Sequence, residues 1–409
     1  MSAIFLLLGL FGVYCTFYLV EANGTNALIH DSIAAAKLPN SDVSLRTVYT
    51  GFNPLDRILT YIVILLWPVT ELENTLLTLH TTTFLTGTNA IWTLLLLEGY
   101  RRGNLKTVSS FPIIFTLLGQ LAFPVGISLY CALHLATSIT VHSPTRRNLA
   151  IPRPVLHALL VTTALGLVIP VTVLHAPVSD DTKQIFIAAW QFWPICSSMS
   201  VFFAHAILSS PINSSPFYTD ADTETGTNTD TETDKCTLRL IYGLCLLTTA
   251  IPHVRYIYPL IVFIVWQVVF TGKAQLPCLQ DISDLLVRRL WSWDASPAPV
   301  GGVDEGFHIF LVWSCLVITL AVLSWAGSLY RSCVGRCGYG KLAVVAVLVV
   351  LVGPVAAAVE LLWEREEMVI SGRASGLDRS TSTAQSTFRS KSGSGMGKWE
   401  RGGKVLRFD

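Results

Sequence analysis

Charge is scarce in this chain. Only 13% of its 409 residues are Asp, Glu, Lys or Arg, against roughly a quarter in an ordinary soluble domain. The charges nearly cancel, to a formal +1, so nothing argues for nucleic acid or for an anionic membrane surface as a partner. Familiar soluble-enzyme signatures are missing too. There is no Walker loop, no dinucleotide-fold glycine fingerprint, no HExxH and no GxSxG. The nine cysteines are scattered and mostly lie in apolar runs. The closest pair, Cys333 and Cys337, has no second Cys or His pair beside it and makes a poor zinc site. Neither metal nor cofactor is expected.

What is present is apolar length. Hydrophobic residues make up 52% of the chain and come in long runs, the pattern of an all-α integral membrane protein. Counting runs predicts a polytopic bundle of about eight or nine transmembrane helices. Residues 1–22 read either as a first span or signal anchor or as a cleaved signal peptide, because Val20-Glu21-Ala22 passes as a cleavage site. A polar loop, 23–55, carries a glycosylation sequon at Asn23-Gly24-Thr25. Membrane core follows over 56–209 and again over 238–366. Between them, 210–237 is an acidic, Thr-rich, low-complexity loop with a second sequon at Asn213, and 367–409 is a basic Ser/Gly-rich tail; neither composition buries a core. The expectation is a multi-pass glycoprotein of the endoplasmic reticulum, with the lipid bilayer as its main partner.

Charge is informative where it does occur. The stretch Gly51–Asn104 reads as an apolar hairpin with arms at about 58–72 and 76–98. Asp56 and Arg57 open the first arm, Glu71 and Glu73 follow Trp67-Pro68 at the bend, and Glu98, Arg101 and Arg102 close the second. Charges beside lipid must be paired or turned inward. Asp56–Arg57 and Glu98–Arg101 are therefore read as structural ion pairs on one membrane face. Glu71 has no basic residue near it in sequence and is the freer acid.

Three further groups combine aromatic rings with polar side chains: Trp190-Gln191-Phe192-Trp193, His253 to Tyr258, and Trp291 to Asp294, the last matched by Trp363-Glu364-Arg365-Glu366. The ordinary explanations are interfacial Trp and Tyr belts, a histidine satisfying a kinked backbone, and a charged cap beside the membrane. Together they also suit carbocation chemistry. A desolvated carboxylic acid keeps its proton for donation, and the faces of Trp, Tyr and Phe stabilise the cation it makes. A lipid-binding pocket would use the same inventory.

Several of these motifs, in order, resemble the fungal membrane-bound terpene cyclases of the ascochlorin and ascofuranone pathway type. They are Asn53-Pro54-Leu55-Asp56-Arg57, Trp67-Pro68 with Glu71, Glu98 with Arg101-Arg102-Gly103-Asn104, Trp190-Gln191, Trp293-Asp294, and Gly353-Pro354 leading to Trp363-Glu364-Arg365. They cover about 51 to 366. The resemblance implies protonation-initiated, metal-independent cyclisation of a prenylated, epoxyfarnesyl or plain farnesyl, aromatic or polyketide intermediate in meroterpenoid biosynthesis, giving an isomer. On that reading Glu71 and Asp294 are the leading acids, with Glu98 and Glu364 behind them because arginines adjoin both. Glu71 stands where the shorter Asp would be expected. Trp67, Trp190, Gln191, Trp193, His253, Tyr258 and Trp293 are expected to bind substrate. Other pathway enzymes are possible partners. The rival readings are a small-molecule transporter or exporter and a non-catalytic membrane scaffold.

Overall fold

A computed structural model describes residues 2–70, 75–105, 107, 112, 122–175, 177–208, 228–266, 299–335 and 338–370. Among these the chain is all-helical. In order the helices are α1 (Ser2–Val13), a π-helical turn (Tyr14–Tyr18), α2 (Leu19–Ala22), α3 (Thr25–Ala35) and α4 (Asn53–Leu66), which runs into a 3-10 turn (Trp67–Thr70). Next come α5 (Thr75–Gly99), α6 (Phe123–Thr137), α7 (Ile139–His142), α8 (Arg146–Leu149), α9 (Arg153–His175), α10 (Asp180–Trp190) and α11 (Trp193–Leu208). The remainder are α12 (Asn228–Trp266), α13 (Val303–Val334), α14 (Tyr339–Leu351) and α15 (Pro354–Ile370).

Among the described residues, four helices are long and apolar enough to cross a membrane, or up to five if the pair α10–α11, bent by 51°, counts as one span. This corrects the expectation of eight or nine. Among the described residues, the other helices are too short or too polar. A helix rises 1.5 Å per residue, so the 14 residues of α4 reach about 21 Å, short of a core about 30 Å thick. The 13-residue α14 is shorter still, α5 is diluted by threonines, and α15 carries Glu360, Glu364, Arg365, Glu366 and Glu367.

Other expectations change as well. The arms of the Gly51–Asn104 hairpin do not chiefly pack on each other. Helix α4 packs on α3, α10 and α13, whereas α5 is held by α9, α12 and α13. Residues 228–237, assigned to the acidic loop, begin α12, where Asp234 pairs with Arg153 at 2.8 Å. That helix also continues through Pro252 and Pro259 as one element, past the kink read at His253. The sequon residue Asn23 is only 2% exposed. Its Oδ1 accepts from the Thr25 backbone N–H at 3.0 Å and from the Thr25 hydroxyl at 2.7 Å, so the Asn-x-Thr pattern folds back on itself at the start of α3.

Two main apolar cores result among the described residues. The larger joins α1, α5, α6, α9, α12, α13 and α15 around Trp325, Tyr242 and Leu94. The smaller joins α3, the 38–45 segment, α4 and α10 around Ile29, Val63, Ile64 and Trp67. We call this second unit the cap. The 1–22 run belongs to the bundle: α1 packs on α6 and α13, and Phe5 and Cys15 are buried.

Candidate active site

Between cap and bundle lies a cavity of about 1660 Å³. Its polar groups come mainly from the cap side, from Asn26, His30, Thr47, Asn53, Asp56 and Arg57, with Glu21 added from α2. Its rings come mainly from the bundle, from Phe84, Trp92, Phe123, Trp193, Phe307 and Phe310.

The first turn of α4 is set by Asp56. One oxygen accepts from the Thr50 N–H at 2.7 Å, the Thr50 hydroxyl at 2.8 Å and the Tyr49 N–H at 3.2 Å, and the other accepts from the Gly51 N–H at 3.0 Å. The Thr50 backbone bond first, then the other donors, holds this carboxyl below the usual carboxylate range. Asp56 is therefore an ionised anchor for the 49–51 loop. No ion pair joins it to Arg57 among the described residues, which corrects the pairing expected from sequence. The backbone donors outcompete the side chain because they are fixed a few residues away.

The aromatic wall forms where α10 gives way to α11. Trp190 and Trp193 stack there with ring centroids 5.3 Å apart and planes 5° apart. Gln191 closes the helix end beside them, its amide donating to the Ile187 carbonyl at 3.1 Å. Helix α5 supplies the facing side. Trp92 donates to the Ser197 hydroxyl at 2.9 Å, and Asn89 both donates to the Thr163 carbonyl at 3.1 Å and accepts from Trp193 at 3.4 Å. This needs a close approach, and Gly166 provides it, because a Cβ there would run into the Asn89 side chain. Behind Phe84 and Phe307, His80 and His308 share a 2.6 Å N···N hydrogen bond.

Of the residues expected from sequence, Trp190, Gln191, Trp193, Asp56 and Arg57 come together at this cavity. Trp67 is instead buried in the cap core. Tyr258 is 65% exposed on α12, and His253, on the same helix, contacts the Val350 carbonyl at 3.1 Å. Neither lines the cavity. Glu364 accepts from the Tyr330 hydroxyl at 3.1 Å and pairs with Lys341. Glu71, Trp293 and Asp294 lie outside the described residues. Sequence reasoning missed Glu21, His30, Asn89 and Trp92. Helix α5 did carry a signal, since Phe84, Thr88 and Trp92 recur every fourth residue and mark one face.

Glu98 belongs to a different place. It is fully buried, with Oε1 2.6 Å from Arg101 Nε and 2.9 Å from Arg365 Nη1. Arg101 also meets Glu366 at 2.6 Å and donates to the Leu149 carbonyl at 2.7 Å. The Glu98–Arg101 pairing read from the sequence is present, as part of a larger network. Among the described residues, no group of three or more His, Cys, Asp or Glu side chains could hold a metal ion.

The CtvD domain family model matches residues 1–370. The relatives include the terpene cyclase ascI of Acremonium egyptiacum, 26% identical over 85% of this chain and 87% of its own length. The terpene cyclase atmA of Aspergillus flavus is 23% identical over 89% of this chain and 96% of its own length. The terpene cyclase ctvD of Aspergillus terreus is 29% identical over 48% of this chain and 58% of its own length. No solved structure matches. The chain belongs to the CtvD domain family, a family of fungal terpene cyclase enzymes.

Proposed function

We propose that this chain closes rings in a lipophilic prenylated intermediate, an epoxyfarnesyl or farnesyl aromatic or polyketide, by protonation and without metal. The observation that carries the reading is the cavity, which sets Trp92, Trp190, Trp193 and five phenylalanines against a polar cap. In the proposed reaction a carboxylic acid gives its proton to the epoxide oxygen. The C–O bond breaks, an alkene π pair attacks the resulting carbon, and the final cation loses a proton. No atoms are gained or lost, so the product is an isomer. Each ring face near the cation is worth roughly 2 kcal/mol in a desolvated site, and a closed hydrocarbon wall keeps water from quenching early.

Glu71 and Asp294 remain the proposed acids. Glu71 directly follows the 3-10 turn Trp67–Thr70, whose Val69 packs with the cavity residues Leu65, Leu66 and Phe307. Glu98 and Glu364 are less suited, because each is already paired with cations. A substrate this lipophilic fits an enzyme of the endoplasmic reticulum membrane. The test uses microsomes from a host lacking the pathway, fed an epoxyfarnesyl aromatic compound with EDTA present. A product of equal mass and different retention is expected. Glu71→Gln and Asp294→Asn should each abolish or strongly reduce it while the protein still folds. Full activity in both variants would refute the acid assignment, and untouched substrate with folded wild-type protein would refute the cyclisation itself.

A further inference from the structure

The cavity has a mouth with two sides: Glu21, His30, Thr47, Asn53 and Arg57 line it as exposed polar groups, and the other side is apolar. Phe17, Tyr18, Val48 and Ile58 all line the cavity, yet they are 53%, 50%, 59% and 41% exposed. Exposed apolar side chains gathered on one side of an opening mark a surface that something covers.

Helix α1 says what covers it. Residues Ala3–Ala22 are a candidate span, and Leu7, Leu10, Tyr14 and Phe17 are all exposed. Their spacing of three, four and three residues puts them in one stripe along the helix. The stripe that would face acyl chains thus runs directly into the rim of the cavity. Twenty residues at 1.5 Å each just cross the hydrocarbon core, so the Phe17 end of the span lies near its edge. Glu21, about 6 Å further along the axis, already belongs to the polar side of the cavity, with Arg57 and His30. The π-helical turn Tyr14–Tyr18 falls at the same place, and it brings Tyr18 onto Tyr14 with centroids 5.1 Å apart. Such turns re-aim side chains and recur at functional sites.

We propose that the cavity opens sideways into the bilayer at the boundary between acyl chains and headgroups, and that substrate loads from the leaflet. The prenyl chain passes between α1 and α4, past Phe17 and Ile58, toward the aromatic wall. The polar head stays at headgroup level beside Arg57 and His30. Arg57 is exposed and has no hydrogen-bond or ion-pair partner among the described residues, so it is free to meet such a head. This rests on the cyclase reading for the identity of the cargo, but the portal itself can be tested without turnover.

The experiment places a nitroxide at Phe17→Cys and, separately, at Ile58→Cys. It uses the full chain in phosphatidylcholine nanodiscs, with serine at Cys196, Cys236, Cys278 and Cys337. Collision with oxygen, which concentrates in lipid, is compared with collision with a water-soluble nickel chelate. Leu10→Cys on the stripe and Asp42→Cys on the exposed loop serve as the lipid and water references. Oxygen should dominate at both rim positions, with a ratio severalfold above that of Asp42→Cys. Dominance of the nickel chelate at either one would make the mouth aqueous and overturn the portal. That outcome would leave the cyclase reading to its own isomer assay, just as an inactive chain with a lipid-facing mouth would sink the cyclase and spare the portal.

Discussion

Two regions of this molecule hold charge in an apolar surrounding, and they handle it in opposite ways. At the ends of α5 and α15, Glu98, Arg101, Arg365 and Glu366 are shut away from solvent and joined by contacts of 2.6–2.9 Å. At the cavity, Glu21, His30 and Arg57 stand at an open mouth; among the described residues the Glu21 side chain accepts only from the nearby Asn26 amide, at 2.6 Å. The first group is closed to any ligand because its members are buried and paired with one another. The second is available because its members are not fully used. Charge within a membrane bundle therefore does not by itself mark function, and pairing tells the two cases apart.

The largest effect that would sharpen this contrast comes from breaking the closed network. Arg365→Met leaves Glu98 facing a lost partner in a dry site, and such a break costs about 3–5 kcal/mol. The unfolding midpoint in mixed micelles should drop steeply, with activity lost only because folded protein is lost. A midpoint near that of wild type would show that the network is not structural. Trp190→Leu, on the open side, should behave in reverse. Turnover should fall about tenfold or more, as expected for losing one ring worth 1–2 kcal/mol to a cation, and the unfolding midpoint should stay close to wild type. Equal losses of stability and rate would erase the distinction between the two regions.

The smallest effect concerns Asp56, the one cavity carboxylate that behaves like the network. Its folded pKa is lowered from 3.8, so the ionised form is favoured by folding. The stability this gives is fully present above the unfolded value. It is lost as pH falls from about 3.8 through the lower folded value. Wild-type protein should lose thermal stability across that window, while Asp56→Asn should start lower and change less. Parallel curves for the two would mean that the 49–51 loop does not depend on this charge.

Legibility in the sequence followed the same division. The i, i+3 spacing of Glu98 and Arg101 announced their pair, but Arg365 and Glu366 lie 264 or more positions further on, beyond any local rule. The Trp190–Trp193 patch was visible as composition, whereas its stacking depends on the 51° bend between α10 and α11. Asn89 and Trp92 passed unnoticed inside α5, because their partners Thr163, Trp193 and Ser197 come from other helices.

What the sequence determined alone is the class of protein. Its low charge and long apolar runs suit a helical membrane chain, and the order of its short motifs marks the family, because both are properties of composition and local order. Which runs span, which arms pack together and which charges stay open were decided only by tertiary structure. Those depend on helix length against bilayer thickness and on donors brought together from distant segments, and neither quantity is local.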